Sequence, residues 1–256
     1  MLYFAYVCDD IQDVCHKINS VYKLVNDSMK IPAPQERNPF ADSASMLLRV
    51  ALSDPSKAWG IRELSRMAGT SPSLTVLTLR QLQRIGLASR ESPAQARILE
   101  PVQLLRDWAA WYAMKSVKYH RFSIDGITDA NVILNLLSKR RSRLPGPWAL
   151  TCMAGASLIA PFATFNEVHV HLPGAEKLRR SWQDVLRLKR DKLGPIHLIE
   201  PYYADSGSYG VRVVRKLPVV SEIQLYLDCY RYPVRGREQA EHILSEILMP
   251  RWKNAR

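Results

Sequence analysis

The run WGIRELSRMAGTSPSLTVLTLRQLQRIGL, Trp59 to Leu87, constrains the fold more than any other stretch, because it spells two helices joined by a very short turn. Ile61, Leu64 and Ala68 recur at i, i+3 and i+7, one face of a short helix that begins after Gly60 and ends at Gly69. Ser71 is a good N-cap, and Pro72 falls at the first helical position, where a missing N–H costs nothing. Thr75, Thr78, Leu79, Leu82 and Ile85 keep helical period until Gly86 supplies a stop. Upstream, Ser45 to Leu52 reads as a further helix closed by SDPSK. Downstream, LASRESPAQARIL reads as two short strands around a turn at Ser92 and Pro93. Helix, helix, tight turn, helix, hairpin is the order of a winged helix-turn-helix.

Such a module implies double-stranded DNA as a partner, with the second helix of the turn as the reader. Ser71 and Ser73 then sit at its N-terminus, where free backbone N–H groups meet phosphate, and Arg80, Gln81 and Arg84 project further along it. Arg90 and Arg97 lie on the wing. Leu74 and Leu77, with Val76, fall off the expected packed face, so they meet thymine methyl groups or pack against another part of the protein. Helix-turn-helix geometry also packs three helices where no DNA is bound, which keeps a protein-binding adaptor as an alternative.

Charge agrees with a polyanionic partner: the 256-residue chain carries a formal net charge of +12. With 47% hydrophobic and 23% charged residues it has globular usage and length enough for two domains. No apolar run approaches the ~18 residues that cross a bilayer, and the start, MLYFAYVCDDIQDVCHK, lacks the charged region that precedes a secretory signal, so a cytoplasmic protein with no membrane partner is expected. Cys8, Cys15, Cys152 and Cys229 form no C-x-x-C spacing and read as reduced thiols.

Composition shifts divide the chain. IPAPQERNPF closes a helical N-terminal extension over residues 1–40, and the winged helix-turn-helix takes 41–112. Residues 113–147 read as connecting helices and a basic linker, because SKRRSRLPGP stops a helix near Leu137. Residues 148–256 alternate strand-like and helical runs, an α/β domain. The fold class is therefore α+β, a winged helix-turn-helix followed by an α/β domain.

Two C-terminal segments carry further pattern. In VVSEIQLYLDCYRYPVRGREQAEHIL, Ser221 and Gln224 have capping-box spacing, Ala240, Ile243, Leu244 and Ile247 form one face, and Asp228, Arg235 and Arg237 are placed to form an ion-pair cluster at the intervening turn. This segment, together with Trp59–Leu87 followed by EPVQLLRDWAAWY, resembles the AbiEi-type antitoxins and transcriptional regulators of type IV toxin–antitoxin systems. The resemblance runs from about Asp42 to the end; Gly60 stands where relatives tend to carry Thr or Ser, and the first forty residues match nothing in that family. It implies a repressor of its own operon whose C-terminal domain counters a nucleotidyltransferase toxin, with no stable complex required.

GASLIAPFATFNEVHVHL sets Gly155, Ala156 and Ser157 before Glu167 and His169, the layout of a nucleotidyltransferase with one magnesium-binding carboxylate replaced by an imidazole. That favours a degenerate relative of the fold over an active enzyme, so no catalytic residue and no cofactor are expected, and a nucleotidyltransferase-class enzyme is the other alternative. His169 and His171 share a strand face suited to a transition metal, but no third ligand is evident and no metal site is expected. Finally, Lys139, Arg140, Arg141 and Arg143, with Arg180 and Arg187 on a helix expected over Glu176 to Lys192, make a second basic surface for DNA, RNA or an acidic protein.

Overall fold

The protein, seen in a computed structural model, is described over residues 38–174 and 176–254; the extension expected over 1–40 lies outside the described residues as far as Arg37, with Cys8 and Cys15. The chain opens with α1 (Asp42–Ala51), then β1 (Trp59–Gly60), α2 (Ile61–Met67), α3 (Pro72–Arg84) and the hairpin β2 (Ala88–Ser92) and β3 (Gln95–Ile98). β1 joins the edge of the hairpin in a three-stranded sheet ordered β1-β3-β2.

Local chemistry accounts for this order. Ser71 Oγ accepts the Leu74 N–H at 3.2 Å and Pro72 starts α3, as its fixed φ favours. Gly69 and Gly86 both take positive φ, +62° and +76°. Around them Thr70 N–H donates to the Ser65 carbonyl and Leu87 N–H to the Leu82 carbonyl, each at 2.9 Å, closing both helices with the same left-handed motif. Leu64, Ala68, Thr75, Thr78, Leu79 and Leu82 are buried, but Ile85 is half exposed: with Gly86 next to it, the chain turns away before Ile85 can reach the core.

Helix α4 (Pro101–Ala113) follows, burying Leu104, Leu105, Trp108, Ala109 and Tyr112. The remaining elements are β4 (Lys118–Ser123), α5 (Ala130–Arg140), β5 (Ala149–Thr151), α6 (Cys152–Ile159), β6 (Val168–His171), α7 (Glu176–Leu186), β7 (Lys189–Arg190) and β8 (Ile196–Glu200). After them come β9 (Arg212–Val214), β10 (Leu217–Val219), α8 (Glu222–Tyr230), α9 (Gly236–Ile243) and α10 (Met249–Asn254), the last two joined through a π turn at Leu244–Leu248. Their strands form a mixed seven-stranded sheet ordered β7-β4-β8-β6-β5-β10-β9.

Three local expectations are corrected. Residues 113–147 do not merely connect: β4 lies inside the sheet, antiparallel to both β7 and β8. The helix before the basic cluster runs on to Arg140, with a 3-10 turn at Arg141–Arg143, so the Pro-Gly-Pro stop acts later than Leu137. The helix expected to reach Lys192 ends at Leu186, because Arg187 turns left-handed at φ +56° and Leu188 N–H closes onto the Gln183 carbonyl; Lys189 and Arg190 then form the edge strand β7.

Each face of the large sheet has its own core. On one, Phe122, Leu150, Val168, Val170, Ile196 and Leu198 pack with Ile133 and Leu137 of α5 and Trp182 of α7. The opposite face is covered by α6 and α8, and its core continues without a break into the helices of the N-terminal module: Leu48, Leu82, Trp108, Leu225, Tyr226 and Trp252 belong to one buried cluster. Trp252 donates its indole N–H to the Leu52 carbonyl at 2.7 Å, so the last helix closes the end of the first. Arg49 of α1 is also buried, its guanidinium 5.2 Å from the Trp108 ring centroid and 5.4 Å from that of Tyr203. A cation on two aromatic faces keeps part of the stabilisation that water would have given it. Among the described residues no helix is long and apolar enough to cross a membrane.

Candidate functional site

Two places concentrate chemistry. The first is the outer face of α3, where Ser73, Leu77, Arg80 and Arg84 are exposed and fall on one helical stripe, with Gln81 half-buried beside it. The stripe is open because the opposite face, Thr75, Thr78, Leu79 and Leu82, is held in the core. Leu74 differs from Leu77: it packs against the hydrophobic cluster and is part of the anchor. Arg62 and Arg66 on α2 are exposed as well, two cations that the helix-by-helix reading passed over.

On the hairpin, Arg90 is turned back, donating to the carbonyls of Ser92 at 3.3 Å and Pro93 at 3.2 Å, while Arg97 lies 3.9 Å from the Glu91 carboxylate. Both remain exposed. Of the second basic group, Lys139, Arg141, Arg143 and Arg187 are exposed, Arg180 pairs with Glu176 one turn away, and Arg140 is taken up by the Val185 carbonyl at 2.6 Å. Arg140 thus caps the end of α7.

The second place is a cavity of about 690 Å³ on the α6 and α8 side of the sheet. Strand alternation builds it. Val168 and Val170 of β6 point into the other core, so Glu167, His169 and His171 face the cavity. Register then aligns a polar row across four strands, since His169 pairs with His197 of β8 and Thr151 of β5, and His197 pairs with Arg121 of β4.

Glu167 lies at the centre of one cluster. Oε1 accepts from Arg121 at 2.7 Å and is 3.4 Å from His197 Nε2; Oε2 accepts from the Tyr232 hydroxyl at 2.8 Å and is 3.8 Å from His169 Nε2. Burial, reinforced by the neighbouring His197, pushes His169 down to about 3, and burial also lowers His197 despite the carboxylate beside it. Both imidazoles are therefore neutral near pH 7.

His171 belongs to a different cluster. Its Nε2 lies 3.1 Å from Asp228 Oδ2, and the same buried carboxylate accepts from Thr151 at 2.6 Å, Tyr112 at 2.9 Å and Gln224 at 3.0 Å. Burial alone would raise the Asp228 carboxyl; His171, Thr151 and Gln224 outweigh it and hold it down at about 2. Gln224 in turn accepts from Arg49, so the network reaches α1. Ser221 caps α8 as its spacing with Gln224 implies, but the Gln224 side chain goes to this network and does not close a box.

The ion-pair cluster expected from Asp228, Arg235 and Arg237 does not form: Arg235 pairs with Glu238, Arg237 stacks on Tyr230, and Asp228 faces inward. Gly155, Ala156 and Ser157 lie within α6 and not on a phosphate-binding turn, and Gly155 packs where a Cβ would stand 3.0 Å from the Leu150 carbonyl. Cys152 and Cys229 are free and buried. The sequence reading left His169 and His171 without a third ligand. The chain instead joins His169 and Glu167 to His197, and only the pairing of β6 with β8 brings that partner in. No protein-family model, curated protein or solved structure matches this chain.

Proposed function

We propose that the chain is a DNA-binding transcriptional regulator, with residues 41–112 acting as a winged helix-turn-helix and α3 entering the major groove. The observation that carries this reading is the exposed stripe Ser73, Leu77, Arg80 and Arg84 on a helix whose other face is anchored, flanked by a basic hairpin. Exposed Arg62 and Arg66 on α2 and the net charge of +12 add phosphate-binding capacity. Its resemblance to AbiEi-type antitoxins gives the rest of the proposal: a cytoplasmic, non-enzymatic autorepressor that counters a nucleotidyltransferase toxin. Co-expression with a nucleotidyltransferase from an adjacent reading frame should restore growth.

DNA titrations at several salt concentrations test the reader. Ser73→Ala should change which sequence is preferred, whereas Arg84→Ala should weaken all duplexes alike and lower the slope of log affinity against log salt by about one unit, as loss of one phosphate contact does. If both folded variants keep affinity, preference and slope, α3 is not the reader and a protein-binding adaptor takes its place.

A further inference from the structure

We infer that Glu167, His169 and His197 form a binding site for one divalent transition-metal ion of the zinc class, with its remaining coordination position open to the cavity. One nitrogen from each histidine and one oxygen of Glu167 all lie within 4.8 Å of one another. Tetrahedral ligands about 2.0–2.1 Å from a zinc ion stand about 3.4 Å apart. His197 Nε2 stands 3.4 Å from Oε1, near that edge length, and His169 Nε2 3.8 Å from the other oxygen, Oε2, so each imidazole faces its own oxygen of the carboxylate.

Both imidazoles are buried in the wall of the cavity. A neutral imidazole has one lone-pair nitrogen. His197 Nε2 is buried with no hydrogen-bond partner, and so is Nδ1 of His169. The His197 nitrogen stands 3.4 Å from Oε1 of Glu167. A cation held between Nε2 and the carboxylate would give that orphaned nitrogen a partner.

Glu167 is oriented by hydrogen bonds. Arg121 and Tyr232 each occupy one lone pair of its two oxygens and leave the others toward the imidazoles. Two imidazoles and one carboxylate suit zinc, cobalt or nickel and are a poor set for magnesium or calcium, which prefer oxygen donors alone. With three protein ligands the site is of the open kind, and water or an anionic group occupies the position toward the cavity. The ion would sit on the sheet, apart from the α3 stripe, and its test is independent of DNA binding.

Tag-free chain, stripped with chelator and checked for retained fold by circular dichroism, is titrated with Zn²⁺ alone and with Co²⁺ alone. One equivalent of Zn²⁺ should bind, and Co²⁺ should give visible bands of a four- or five-coordinate nitrogen and oxygen site. His197→Gln and Glu167→Gln should weaken binding about 100-fold or more, Tyr232→Phe about 10-fold as an orienting contact is lost, and His171→Gln little. No stoichiometric binding by the folded wild type would overturn the inference. So would thiolate charge-transfer bands, which would move the site to Cys152 on the cavity wall, or a weaker His171→Gln variant beside an unchanged His197→Gln variant.

Discussion

Replacing Asp228 with asparagine keeps the shape of the side chain and removes the charge on which three elements converge. In the folded chain its carboxyl is held at about 2 against an ordinary 3.8, which at about 1.36 kcal/mol per pKa unit is about 2 kcal/mol of stabilisation above pH 5. A depressed carboxyl contributes fully above its unfolded value and loses that contribution as pH falls toward its folded one. By linkage about 1 kcal/mol, roughly half, should be gone at pH 3. Asparagine has no such dependence.

At pH 7 the variant also turns an amide N–H₂ toward the donors on one side, Tyr112 and Gln224 at Oδ1 or Thr151 at Oδ2, so its total deficit should be about 3–5 kcal/mol, typical of breaking a buried charged network. Urea unfolding followed by tryptophan fluorescence, at pH 7, 5 and 3, measures both parts. The gap between wild type and Asp228→Asn should narrow by about 1 kcal/mol from pH 5 to 3. A gap that is equally wide at pH 3, or below about 1 kcal/mol at pH 7, would refute the account of this network.

Gly236→Ala would place a Cβ 2.2 Å from the Cys229 carbonyl oxygen and 2.7 Å from the Tyr232 Cβ, so the start of α9 must shift, and thermal unfolding should show a loss of at least about 2 kcal/mol. Trp252→Phe leaves the Leu52 carbonyl without its indole donor and should lose about 1–3 kcal/mol by chemical denaturation. Because Leu52 follows α1, its effect should be as large when read from probes in residues 41–112 as from probes in the sheet.

What could be read from the sequence was what neighbouring residues decide among themselves. Pro72, Ser71, Gly69 and Gly86 act over a single turn, so α2, α3 and their caps were legible, and the alternation of EVHVHL announced which side chains share a face of β6. Long-range pairing was not legible. His197 becomes a neighbour of His169 only through strand register, and β4 enters the sheet because two other strands flank it. Asp228 was assigned to nearby arginines since sequence proximity suggests nothing else, yet burial of α8 turned it toward Tyr112, Thr151 and His171. Arg187 misled for a further reason: a non-glycine residue at positive φ has no signature that the sequence displays.

The hydrogen bond from Trp252 to Leu52 spans 200 residues, and it sets the order of events during synthesis. At about 5–20 residues per second, the ribosome needs about 10–40 s after making Leu52 before Trp252 exists. Through that interval α1 lacks the donor for its last turn, and through most of it also the α8 face that receives Arg49, although α2, α3 and the hairpin already have every residue of their own. Until those later residues are made, the apolar surface of the N-terminal segment that they cover has no partner within the chain.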